Sequence, residues 1–290
     1  MDIKRTILIV ALAVVSYVMV LKWNQDYGQA ALPTQNVAAS STTAPALPDT
    51  ASGNNASNSA DVPTANGETS TVAETPVAAS KDLIHIKTDV LDIAIDPQGG
   101  DIAQLRLPLY PRRQDHPDVP FQLFDNGNER TYLAQSGLTG VDGPDARAAG
   151  RPVFSTDKKT YELAPGQDQL VVDLKFSENG INYIKRFTLK RGLYDVQVSY
   201  LIDNESGKPW NGNLFAQLKR DASSDPSSST ATGTATYLGA ALWTSAEPYK
   251  KVSMKDIDKG DLKETVQGGW VASLQHYFVT AWIPQKGDSN

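Results

Sequence analysis

The stretch from Gln169 to Asp203, QLVVDLKFSENGINYIKRFTLKRGLYDVQVSYLID, leaves the chain few options. Its apolar residues recur at every second position. Leu170, Val172, Leu174 and Phe176 form one set, Ile181, Tyr183, Phe187 and Leu189 a second, and Tyr194, Val196, Val198, Tyr200 and Ile202 a third. Alternation of this kind puts the apolar side chains of a strand on one face. Asn179-Gly180 joins the first two sets and is the strongest short hairpin signal, because both residues tolerate positive φ. Arg191-Gly192 turns the chain again. Three antiparallel strands, each with one apolar face, require a second sheet to cover that face, so the expected fold is an all-β sandwich.

The same period extends upstream. In LDIAID, Leu91, Ile93 and Ile95 alternate with Asp92, Ala94 and Asp96, PQGG reads as a turn, and Leu105, Leu107 and Leu109 alternate after it. No stretch of this region has a convincing amphipathic helical pattern. Ser223 to Thr234 reads as a long surface loop, and the mixed charges of Lys255 to Glu264 as a solvated face. Near the C-terminal end, GGWVASLQHYFVTAWIP collects Trp270, Leu274, Tyr277, Phe278 and Trp282. Phe278 to Ile283 are strand formers. Trp270, Leu274 and Phe278 also fit a helical stripe, so Trp270 to Gln275 stays open between strand and helix. The cluster reads as core, with a docking surface as the functional alternative.

The N-terminal part is different. Ile7 to Leu21 is apolar except for Ser16, and with Thr6, Lys22 and Trp23 it reaches the ~20 residues needed to cross a bilayer. Lys4 and Arg5 precede the run, which by the positive-inside rule keeps the N-terminus in the cytoplasm. Lys22 and Trp23 suit the opposite membrane interface. Residues 1–23 are therefore read as a transmembrane anchor. The rival is a cleavable signal peptide ending near Gly28 to Ala30, but Lys22, Trp23 and Asp26 intervene. Residues 24–80 are built from Ala, Ser, Thr, Pro and Asn, with no Lys or Arg after Lys22. Such a segment buries too little apolar surface to offset its ordering entropy. It reads as a disordered tether spanning on the order of 40 Å. Residues 81–290 then form the β-sandwich domain.

Composition narrows the chemistry. A net charge of −6 argues against nucleic acid as a partner. The absence of cysteine excludes disulfides, thiolate metal sites and a cysteine nucleophile. His85, His116 and His276 are the three histidines, and none has a second ligand at metal spacing. Asp92 and Asp96 on one strand face stand about 13 Å apart, too far for a glycosidase pair, and read as solvent-face charges. No serine stands in a nucleophile elbow. The residues thus point to no enzyme chemistry, no cofactor and no metal.

Five stretches in order resemble the N-terminal part of bacterial YidC-type membrane protein insertases. They are MDIKRTIL, TDVLDIAIDPQGGDIAQLRLPLYP, YIKRFTLKRGLYDVQVSYLIDN, YLGAALWTSAEPYKKVSMKDI and GGWVASLQHYFVTAWIP. The resemblance implies one transmembrane helix, then a periplasmic domain of β-supersandwich fold, similar to galactose-mutarotase folds, in the bacterial inner membrane. It also implies a following bundle of insertase helices, which maps to no position here, so the β domain is expected to be cut short at its C-terminal end. The implied role is insertion and folding of inner-membrane proteins, with or without the Sec translocon. The implied partners are membrane lipid, nascent membrane proteins and that translocon. A tethered carbohydrate-binding or sugar-epimerising domain is the alternative, and it rests on fold analogy alone.

Overall fold

The computed structural model describes residues 14–22, 82–226 and 237–285. The tether of residues 24–80, with Lys4, Arg5 and Trp23, lies outside the described residues, as does the surface loop beyond Pro226. Residues 14–22 form helix α1, with its apolar side chains exposed. Among the described residues no helix is long and apolar enough to cross a membrane. Every described strand falls in one compact unit and α1 in another.

In chain order the strands open with β1 (Ile84–Lys87), β2 (Asp92–Asp96), β3 (Asp101–Arg113), β4 (His116–Asn126) and β5 (Thr131–Thr139). A 3-10 turn at Pro144–Ala146 and β6 (Thr160–Glu162) follow. Next come β7 (Gln169–Glu178), β8 (Ile181–Lys190), β9 (Val196–Asn204) and β10 (Asn213–Arg220). The last elements are β11 (Gly239–Leu242), β12 (Lys250–Ser253), a one-turn helix α2 (Met254–Ile257), β13 (Val271–Leu274) and β14 (Val279–Trp282). They assemble into three sheets, ordered β10-β5-β4-β3-β2-β1-β6, β7-β8-β9 and β12-β11-β13-β14.

The β7-β8-β9 meander follows the alternation. Its first ladder runs unbroken from Gln169 opposite Lys190 to Glu178 opposite Ile181. Asn179 and Gly180 turn it with φ of 53° and 73°, the left-handed backbone that a two-residue hairpin needs. The buried face of this sheet carries Val172, Leu174, Phe187 and Leu189 into one core with Ile86, Ile93, Leu105 and Tyr132 of the large sheet. The domain is all-β with sheet packed on sheet, as the need to cover three one-sided strands requires.

Four expectations fail locally. Asp96 is not on a solvent face. It is buried, and its Oδ1 accepts the Gln98 amide at 2.9 Å to fix the turn into β3. Ala94 is buried as well, because β2 is an interior strand with both faces covered. Leu109 is exposed, since the β3-β4 hairpin runs past the sandwich and every β3 residue beyond Leu107 is in solvent. Asp225, in the stretch read as surface loop, is buried and accepts the His276 amide at 2.8 Å.

Candidate functional site

The C-terminal aromatic segment folds as a hairpin rather than a helix. β13 pairs with β14 from Val271 opposite Trp282 to Leu274 opposite Val279, and the Gln275 amide donates to the Phe278 carbonyl at 2.8 Å across the turn. The two faces of this hairpin diverge. Phe278 and Trp282 pack against the main core. Phe278 stacks on Phe121 with centroids 4.4 Å apart, and Trp282 Nε1 donates to the Gln217 carbonyl at 2.9 Å. Thr280 shares a short hydrogen bond with the buried Tyr132 hydroxyl. Trp270 and Leu274 are half-buried, and Tyr277 is 64% exposed. Core and surface roles therefore divide along alternating residues, as the pleat dictates.

Around Phe278 an aromatic surface is assembled from three elements. Tyr110 on the β3-β4 arm meets the Phe278 edge at 5.7 Å and Tyr194 after β8 at 6.0 Å. Leu109, Val119 and Leu193 flank them and are exposed. Lys22 ends the described part of α1 and is exposed. The three histidines stand apart in the fold, on β1, at the start of β4 and in the β13-β14 turn. His116 lies 3.8 Å from Asp115 in solvent. Among the described residues no group of three His, Asp or Glu side chains converges as a metal site.

Sequence reasoning missed the densest charge cluster, which sits between the large sheet and the meander. Lys185, at the core-facing phase of β8 between Tyr183 and Phe187, is 1% exposed. Its Nζ donates to the Gly99 and Ser136 carbonyls, each at 2.9 Å, and lies 4.0 Å from Asp101. Arg151 pairs with Asp101 through Nη1 and Nη2, and its Nε donates to Asp145 at 2.8 Å. Its Nη2 also reaches the Ser136 carbonyl at 3.0 Å. Asp101 further accepts from Gln135 at 2.8 Å, and Asp145 accepts the Leu138 amide at 2.8 Å. Two cations and two carboxylates thus balance. Burial alone would depress the Arg151 guanidinium, but Asp101 and Asp145 hold it above its ordinary value. Burial pulls the Lys185 ammonium down to about 8 against the attraction of Asp101. Burial raises the Tyr200 hydroxyl, which bonds Ser136 Oγ at 3.1 Å.

The PQGG turn makes this cluster possible. Gly99 and Gly100 have φ of 77° and 66°. A Cβ on Gly99 would collide with the Arg151 guanidinium, and one on Gly100 would come within 2.9 Å of Lys185 Cδ. The glycines thus serve close approach as well as chain reversal. Because these donors and acceptors face one another inside the protein, the cluster joins two sheets rather than presenting an acid and a base to a substrate.

Comparison with known proteins places this domain. A family model for the YidC periplasmic domain matches residues 83–290. Over 290 residues the chain is 84% identical to the membrane protein insertase YidC of Pseudomonas fluorescens strain SBW25 and 79% identical to that of strain Pf0-1. Over 293 residues it is 78% identical to the membrane protein insertase YidC of Pseudomonas syringae pv. syringae B728a. Each match covers 100% of this chain and 52% of the relative, so the chain spans about half the length of the relatives it matches.

Proposed function

The chain belongs to the YidC periplasmic-domain family, and from that premise we propose that it forms the anchor and periplasmic domain of an inner-membrane protein insertase. The observation that carries this reading is the 84% identity over the whole chain to a membrane protein insertase. The work of such a machine is physical rather than covalent. In hydrocarbon an unsatisfied polar group costs several kcal/mol, so helping a polar loop across means offering it polar partners on the way. Residues 1–23 fix the domain to the bilayer, with Lys4 and Arg5 on the cytoplasmic side and Lys22 and Trp23 at the periplasmic interface. The exposed apolar side chains of α1 suit lipid contact. Residues 24–80 tether residues 81–290, which lie in the periplasm. The aromatic surface of Tyr110 and Tyr194 beside Phe278 is the face offered to a nascent membrane protein or to the Sec translocon, and the exposed Tyr277 is a separate candidate contact. The domain takes no cofactor and performs no bond chemistry.

The chain has no cysteine, so an introduced thiol reports topology cleanly. Ser59→Cys in the tether and Ser206→Cys beyond β9 should both react with a membrane-impermeant maleimide in intact spheroplasts. Labelling only after lysis would overturn the orientation. Photo-crosslinking amino acids at Tyr110 and Tyr277 should join to a stalled nascent membrane protein or to a translocon subunit. A domain that yields neither adduct would be a structural module only.

A further inference from the structure

Where β5 begins and β10 ends, two arginines flank one ring. Arg130 Cζ lies 5.3 Å and Arg220 Cζ 5.2 Å from the centroid of Tyr132, which is itself fully buried. Arg130 is 8% exposed and is held by main chain, donating to the Gln122 carbonyl at 3.3 Å and the Leu123 carbonyl at 3.0 Å. Arg220 donates through Nη2 to the Ser223 carbonyl at 3.1 Å. Among the described residues neither guanidinium has a carboxylate partner of the kind that Arg151 has. Arg130 Nε, Arg220 Nε and Arg220 Nη1 are buried without an acceptor. The nearby carboxylates are engaged elsewhere. Asp221 accepts the Thr131 amide at 2.6 Å and the Ser223 amide at 3.0 Å, and Asp225 accepts the His276 amide. Asp125 and Asp225 act on Arg130, and Asp221 on Arg220, only at longer range.

The β13-β14 turn adds a second set of unmet groups in the same neighbourhood. Gln275 is 7% exposed, and both its amide nitrogen and its amide oxygen lack partners, as does His276 Nδ1. The Asp225-His276 bond ties this turn to the loop that follows Arg220. The Thr280-Tyr132 bond ties it to the ring under both arginines. Burial depresses the Arg130 guanidinium most and the neighbouring Arg220 adds to it, while Asp125, Tyr132 and Asp225 offset them only in part.

We propose that Arg130, Arg220 and Gln275 form a binding site for a phosphate-type oxyanion. The donors come from three separate elements, which a tetrahedral group with several oxygens meets better than a planar carboxylate. Guanidinium is also the group best matched to phosphate. The unpartnered Gln275 oxygen needs a donor, and a phosphate or phosphomonoester carrying a P–OH supplies one. Sulfate at neutral pH and the phosphodiester of a lipid headgroup do not.

The test is a titration of the purified 290-residue chain in detergent with inorganic phosphate. Sodium sulfate and sodium chloride at equal ionic strength are the controls. The melting temperature should climb with the logarithm of phosphate concentration, as for a ligand that binds only the folded state. Arg220→Met should weaken that response at least about tenfold, as loss of a charge-assisted donor pair does. Gln275→Leu should erase the preference for phosphate over sulfate. Arginine Nε–H resonances give a readout independent of stability. Two should move with phosphate in the parent chain, and one of them should be missing in Arg220→Met. Phosphatidylglycerol vesicles distinguish the source. They should leave phosphate bound, because a phosphodiester has no P–OH for Gln275, and displacement by them would overturn the proposal. A melting temperature indifferent to phosphate beyond the chloride control, with unmoved Nε–H signals, would overturn the proposal and assign the donors to internal water.

Discussion

Two groups of buried and half-buried cations lie in one β domain, and they are solved in opposite ways. Around Asp101 the positive charges of Arg151 and Lys185 meet two carboxylates and two backbone carbonyls. Around Tyr132, among the described residues, Arg130 and Arg220 donate to carbonyls, feel Asp125, Asp221 and Asp225 only at longer range, and leave three N–H groups unmet. A buried ion group that is matched internally acts as a joint between sheets, and removing one member leaves the others uncompensated. A buried group with unmet donors destabilises the fold until something outside the chain supplies the acceptors. The contrast assigns structure to the first cluster and leaves recognition to the second.

Breaking the matched cluster should give the largest effect. Arg151→Met strips Asp101 and Asp145 of their only guanidinium and should lower stability by about 3–5 kcal/mol. A urea melt measures it, and a loss below about 1 kcal/mol would mean that water already reaches the cluster. Gly99→Ala attacks the same joint from the backbone. It forces a Cβ into left-handed φ and into the Arg151 guanidinium, and should lower stability by about 2–3 kcal/mol. Alanine at Gly166 has the same φ problem at 81° but open space, so it isolates the collision from the strain.

How much of this was legible follows from where each signal sits in the chain. The meander was readable because its two determinants, alternation and Asn179-Gly180, lie within one stretch. The matched cluster was half readable. Lys185 stands at the core-facing phase of INYIKRFTL, and a cation on an apolar strand face requires a buried partner. Its partners could not be found, because Asp101, Asp145 and Arg151 arrive from separate connections and carry no local pattern. Gly99-Gly100 read as a turn since turn and close approach both select glycine. Asp96 and Asp225 looked like surface charges because their role is to accept backbone amides at turns that only the tertiary fold creates. In the final hairpin, alternation alone separates Tyr277 from Phe278, but no pattern in the sequence says that Phe121 waits beneath one of them. Arg130 and Arg220 sit at strand ends, where arginines are ordinary, so nothing local marks them.

Lys185→Met tests how the matched cluster depends on pH. The Gly99 and Ser136 carbonyls keep donors from Arg151 Nη2, at 3.3 and 3.0 Å, and the burial cost of the ammonium disappears, but Asp101 loses a cation at 4.0 Å, so the loss at neutral pH should be about 1–2 kcal/mol. The sign of the pH effect follows from the depressed lysine. Folded, Lys185 releases its proton at about 8, whereas a lysine in the unfolded chain holds it to ~10.4. Between those values the unfolded state binds more protons, so the Lys185 contribution to stability grows as pH rises and is lost as pH falls through about 8. The stability difference between parent and variant, measured from pH 7 to pH 10, should therefore move in favour of the parent. A difference flat across that range would mean that Lys185 keeps its proton throughout.

Arg220→Met should give the smallest change, and that smallness is the point of the comparison. The substitution keeps the aliphatic stem over Tyr132 while removing two unmet donors and a like charge beside Arg130. It gives up one bond to the Ser223 carbonyl and some attraction to the ring. These terms oppose one another, so without phosphate the stability should change by no more than about 0.5 kcal/mol in either direction. An arginine with a fully matched guanidinium, such as Arg151, has no such compensation. Urea melts of both variants in a phosphate-free buffer place the two clusters on one scale. If Arg220→Met loses as much as Arg151→Met there, its donors already have partners inside the protein, and the two clusters are the same kind of object.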